Sequence, residues 1–180
     1  MSQIYERELK GILMADRDVL VRVTKNLPAE EQIAYMKIME KPFVVVRAAG
    51  SFGIDMAVVG SISFLVEEKS SSEPLYHFNA PRIVEQAALL LELCSRAGIT
   101  PVYAYRLKNL RGRDPWRLFS MEMEEGKLDG YDRLFHQRLP KLERTKSNNY
   151  VMRWEKGMPL HRFIDWVVSM RKRTAEAPGQ

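Results

Sequence analysis

The chain is poor in residues that build covalent or metal staples. One cysteine, Cys94, stands in 180 residues, which excludes an internal disulfide and any thiolate-based zinc cluster. The three histidines, His77, His136 and His161, are scattered and do not read as a structural zinc site. No apolar stretch reaches the roughly 18 residues that a membrane-spanning helix needs. The opening MSQIYERELKG puts charges where a signal peptide has its apolar core, so a cytoplasmic protein without membrane association is expected. Internal repeats and low-complexity tracts are also missing, which sets solenoids and disordered linkers aside.

What is there suffices for a buried core. Hydrophobic residues make up 46% of the chain and charged ones 28%, the balance of one globular domain spanning residues 1–180. The net charge of +5 is compatible with a nucleic-acid partner without establishing one. Its distribution is uneven. From Arg133 to Arg173 there are eleven Lys or Arg against three acids, whereas residues 1–132 carry seventeen bases and nineteen acids.

Periodicity divides the chain into elements. Leu9, Ile12, Leu13, Val19, Leu20 and Val23 recur at helical spacing over 4–26, and a short helix follows Pro28 and ends before Pro42. The period then changes. PFVVVRAAG, IDMAVV and SISFLVEEK read as a strand and a hairpin turning near Gly60, with both faces expected to be buried. SSSEP is a polar break. PRIVEQAALLLELCSRA, with Asn79 as its expected cap and Gly98 as its stop, is the clearest helix. Strands at TPVYAYRL and WRLFSMEM flank a basic turn; 124–149 reads as a loop excursion. YVMRWEK and PLHRFIDWVVSMRKR supply a last strand and helix before a frayed tail at 174–180. The fold class is α/β, in one domain.

Asp55 stands inside the apolar run IDMAVV, where an isolated carboxylate is costly unless paired or bound to metal. Twelve residues later comes Glu67-Glu68-Lys69. Strand alternation puts Glu67 and Lys69 on one face and Glu68 on the other. If the hairpin closes near Gly60, Asp55 and Glu67 lie close across the ladder. Two readings stay open: a site for Mg²⁺, which takes hard oxygen ligands, or a buried acid–lysine ion pair.

These motifs together resemble the PD-(D/E)XK nucleases and, within them, the archaeal Holliday junction resolvases. The resemblance rests on YERELKGIL, FVVVRAAGSFGIDMAVV, FLVEEKS, PRIVEQAALLLELCSRAG and ITPVYAYRL, with a weaker echo in YVMRWEKGMPLHRFIDWV. It implies a restriction-endonuclease-like mixed β-sheet flanked by helices. It also implies a Mg²⁺-dependent endonuclease, with Mn²⁺ as a substitute, that nicks four-way DNA junctions in pairs as a homodimer and leaves 5′-phosphate ends. Such an enzyme would be nucleoid-associated when bound to DNA. By the same resemblance Glu6, Asp55, Glu67 and the backbone carbonyl of Glu68 would hold the metal. Lys69 would be catalytic, and Ser51 would approach the scissile phosphate. Arg7, Lys10 and Arg47 match basic positions that contact the phosphate backbone or support the acids, and Gln86 matches a recurrent glutamine. The basic turn of Arg106, Lys108, Arg111, Arg113 and Arg117 reads as a further DNA contact. The chain departs from the family pattern in a helical insertion near 16–41 and in the excursion 124–149. A PD-(D/E)XK nuclease acting on duplex or other branched DNA, and a non-catalytic junction-binding protein, are the alternatives.

Overall fold

A computed structural model of the chain describes residues 2–48, 53–124 and 126–175. Helix α1 (Ser2–Leu13) buries Leu9, Ile12 and Leu13, the stripe expected from their spacing. The helix expected over 4–26 is broken in two. Ala15 adopts a left-handed φ of 59°, and Asp16 then caps α2 (Arg17–Thr24), its side chain accepting the Val19 N–H at 3.1 Å. A capping carboxylate and a left-handed residue therefore override a continuous apolar stripe. Helix α3 (Ala29–Met36) and a single 3₁₀ turn (Lys37–Glu40) complete the insertion.

The main sheet has six strands in the order β1 (Val44–Arg47), β2 (Met56–Val59), β3 (Phe64–Ser71), β5 (Thr100–Leu107), β6 (Trp116–Ser120) and β9 (Met158–Pro159). Neighbours are antiparallel except for β3 and β5. That parallel pair is joined by α4 (Pro81–Ala97), as a parallel connection requires a crossover. Gly98, at φ 68°, ends α4 in the left-handed conformation. The residue at the start of α4 is Ala80, which offers no side-chain cap, so Asn79 does not take that role. Burial on both faces does not hold for β1. It is an edge strand whose Val44 and Val46 are exposed while Val45 is buried.

One face of the sheet packs on α1 and on α6 (Leu160–Ala175) through Phe43, Val66, Trp116 and Phe163; the other packs on α4 through Leu90, Cys94, Tyr103 and Phe119. The region 124–149 is not a plain loop. It contains α5 (Gly130–Arg138), anchored by the fully buried Phe135, and the short strand β7 (Glu143–Arg144). A second sheet, in the order β4 (Leu75–His77), β8 (Tyr150–Arg153), β7, takes up the chain after the SSSEP break. The tail expected from 174 begins inside α6, and residues 176–180 lie outside the described ones. No described helix is long and apolar enough to cross a membrane.

Candidate metal centre

Register brings the acids together. Met56 pairs with Val66, and the Asp55 N–H donates to the Val66 carbonyl at 2.9 Å, so Asp55 ends the β2 ladder next to Glu67. Its side chain is fixed from β3: the Glu68 N–H donates to Asp55 Oδ2 at 2.6 Å. Behind it, Gly53 (φ +69°) lies so close to α4 that an added Cβ would come within 2.8 Å of the Gln86 Cβ. Gln86 thus packs against the segment that delivers Asp55, and a side chain at 53 would push that segment away.

The two faces of β3 hold different partners. Val66 and Glu68 share the face toward α1, whereas Leu65, Glu67 and Lys69 share the one toward α4. On the α1 side, one carboxylate oxygen from each of Glu6, Asp55 and Glu68 lies within 4.8 Å of the others. The sequence assigns Glu68 only its backbone carbonyl; in the structure its carboxylate joins the cluster. Arg47 Nη2 donates to Glu6 Oε2 beside it. On the α4 side, Lys69 Nζ donates to Glu67 Oε1.

Burial and mutual repulsion set the electrostatics. Burial raises the Asp55 carboxyl above its ordinary range; the Glu68 N–H and Lys69 oppose the shift and the Glu6 charge reinforces it. Burial likewise raises Glu67, with Lys69 opposing and Asp55 adding. For Lys69, burial acts to lower the ammonium, but Glu67, Tyr76 and Asp55 outweigh it and hold the group above its usual value. Lys69 is therefore a cation at neutral pH, suited to stabilising charge and unsuited to accepting a proton.

Two buried atoms at this centre have no hydrogen-bond partner among the described residues. Glu67 Oε2 is an acceptor without a donor, and Arg47 Nε is a donor without an acceptor. The first suits a cation and the second an anion. An all-oxygen set of acids in a half-dry setting is the donor chemistry of Mg²⁺ or Mn²⁺.

The other expected contacts fall in several places. Ser51 lies outside the described residues. Arg7 is exposed and Lys10 half-buried on α1, lining one shallow groove. Arg106 turns inward: its Nε donates to Glu8 Oε1 at 2.8 Å and its guanidinium lies 4.3 Å from the Tyr5 ring centre. Lys108 is 5.8 Å from the same ring. Arg111 and Arg113 are exposed. Glu8 also accepts from Trp116 Nε1 at 3.0 Å, which makes it a pairing residue. Trp116 and Phe119 are core. Burial pushes the Cys94 thiol up to about 12, the behaviour of an inert packed cysteine.

Sequence reasoning missed one centre entirely. Asp114 is fully buried. Its Oδ1 accepts from the Tyr35 hydroxyl at 2.7 Å and the Trp116 N–H at 2.9 Å. Its Oδ2 accepts from the His161 N–H and, on the same oxygen, from His161 Nδ1, both at 2.9 Å. The isolated acid inside the turn NLRGRDP was the only local signal for it.

Comparison with known proteins finds no protein family and no curated protein that matches the sequence. Among solved structures, the chain is similar to a Holliday junction resolvase from the archaeal hyperthermophile Archaeoglobus fulgidus. The TM-score is 0.46 at 18% sequence identity, over 83% of this chain and 91% of that chain.

Proposed function

We propose that this protein is a divalent-metal-dependent DNA endonuclease that cuts four-way junctions. The observation that carries the reading is the pair of buried orphans at the carboxylate centre, an acceptor at Glu67 Oε2 and a donor at Arg47 Nε. The acceptor would take a cation and the donor an anion, the two charges that a metal ion and a phosphodiester present.

Glu6, Asp55 and Glu68 would hold the ion, with Glu67 within reach of Asp55 from the opposite face of β3. Bound Mg²⁺ supplies a Lewis acid for the phosphate and a water that ionises more readily. The chain's own residues do the rest. Arg47 donates to a phosphate oxygen while keeping its bond to Glu6. Lys69, held charged by Glu67, stabilises the charge that develops on the pentacoordinate phosphorus. The preference for four-way junctions rests on the sequence resemblance and on backbone recognition by bases such as Arg7, Lys10 and Arg111. Two copies related by a two-fold axis would give paired nicks, one site per subunit.

The test is nicking of a labelled four-way junction, a flap and a linear duplex, each with Mg²⁺ or with EDTA. Metal-dependent cutting restricted to the junction is the expected result. Equal cutting of all three would leave a nuclease without junction selectivity. Binding to the junction with no cutting under any metal would point to a non-catalytic module.

A further inference from the structure

A second polar site lies on the other side of the sheet's centre. A groove of about 990 Å³ opens between α3, α6 and the end of β6, sharing no lining residue with the carboxylate cluster. Strand β6 is two strands from β3, roughly 10 Å away at the usual strand spacing. Its cations are Arg113, Arg117, Arg138, Arg162 and Lys37, against Glu30, Glu31 and Asp165.

Two of the three acids already have partners. Asp165 pairs with Lys37, and Glu31 Oε2 accepts the Asp114 N–H at 2.7 Å. The four arginines are not neutralised in that way. Among the described residues, none has a carboxylate within 4.0 Å. Arg117 is the telling one. It is 9% exposed, its guanidinium stacks 3.7 Å from the Trp154 ring centre, and Nη1 is held by the carbonyls of Asp114 at 2.9 Å and Trp116 at 2.8 Å. The Asp114 and Glu31 carboxylates offset part of its burial from beyond ion-pair distance, and a guanidinium that deeply buried still gains from a direct anionic partner. Arg113 and Arg138 rest on the indoles of Trp154 and Trp166 at 5.0 and 5.5 Å. Beside them His161, with Nδ1 on Asp114, has Nε2 left for a ligand.

We propose that this groove binds a phosphate group, with Arg113, Arg117 and Arg162 on its oxygens and the Nε2–H of a doubly protonated His161 completing the cradle. Guanidinium forks match the oxygens of a phosphate bidentately, and Arg117 is already fixed in place. The phosphate is a backbone group of nucleic acid or a free phosphomonoester. The nucleic-acid source deepens the nuclease reading by adding a contact away from the scissile bond; the free source does not depend on that reading.

The experiment compares wild type with Arg113→Gln/Arg162→Gln, whose two side chains are exposed, in EDTA so that cleavage plays no part. Fluorescence anisotropy reads a labelled four-way junction across a salt series, and calorimetry reads inorganic phosphate and adenosine monophosphate. If nucleic acid is the ligand, the variant binds the junction about tenfold or more weakly, and the slope of log affinity against log salt shrinks by about two. If a free phosphate is the ligand, the calorimetric signal of wild type disappears in the variant while junction affinity holds. No change in either assay overturns the proposal, whatever the cleavage assay shows. An unchanged melting temperature confirms the variant's fold; if it shifts, Arg138→Gln is read in the same two assays.

Discussion

Two aspartates of this chain are drawn into the protein and meet opposite treatment. Asp114 has no exposed surface and accepts four hydrogen bonds, from Tyr35, Trp116 and both donors of His161. Asp55 takes one backbone N–H and otherwise faces further carboxylates, Glu6, Glu67 and Glu68. The first arrangement satisfies an anion and ties helices to a sheet. The second gathers four carboxylates against two cations, Arg47 on Glu6 and Lys69 on Glu67, and the Asp55 carboxyl rises in response to burial and to Glu6. Burial of an acid alone is therefore uninformative; the supply of donors around it separates an anchor from a reactive centre.

Substitution at each aspartate should expose the contrast. Asp55→Asn keeps the acceptor for the Glu68 N–H and removes a charge. Junction cutting should fall by roughly 10³-fold or more, the several kcal/mol a bound metal supplies, as measured by strand nicking on gels. The same variant, free of metal, should be more stable by about 1 kcal/mol, a rise in melting temperature of about 2–4 °C. A destabilised Asp55→Asn would collapse the distinction between the two aspartates. Asp114→Ala should go the other way. It strands four buried donors and should cost about 3–5 kcal/mol, read from urea midpoints.

A smaller effect is expected at Lys69. Replacement by Gln removes the cation that Glu67 holds charged, and cutting should slow by about 10²-fold with junction affinity nearly unchanged. A loss confined to affinity would move Lys69 from chemistry to binding. The smallest effect is on pH dependence. Asp55 and Glu67 bind protons more tightly folded than unfolded, so the stability they contribute is complete below the ordinary carboxylate range, about pH 4. It is lost as pH rises through their raised values. Metal-free protein should thus lose stability over that window, and Asp55→Asn should lose less of it; urea midpoints at several pH values measure the difference.

Much of the carboxylate centre was legible because it is built on short-range rules. Period-two alternation separates Glu68 from Glu67 and Lys69, and the hairpin near Gly60 brings Asp55 beside Glu67. The placement of the Glu68 carboxylate with Glu6 was not legible, because it depends on how α1 crosses the sheet. The Asp114 centre was invisible for the same reason in stronger form. Its partners Tyr35 and His161 stand 79 and 47 residues away in sequence, where no local pattern reaches. The break at Ala15 and the helix α5 were missed because one capping carboxylate and one buried ring, Phe135, decide them against weak periodicity.

The Tyr35–Asp114 bond also bears on the order of events in folding. It joins the helical insertion to the turn before β6, and α6 reaches the same carboxylate through His161. Contacts so distant in sequence close large loops and are slow to form. The insertion should therefore dock after β5 and β6 have paired and the last helix has arrived. Hydrogen exchange during refolding should protect Tyr35 and its neighbours late, together with the first turn of α6, as a single step.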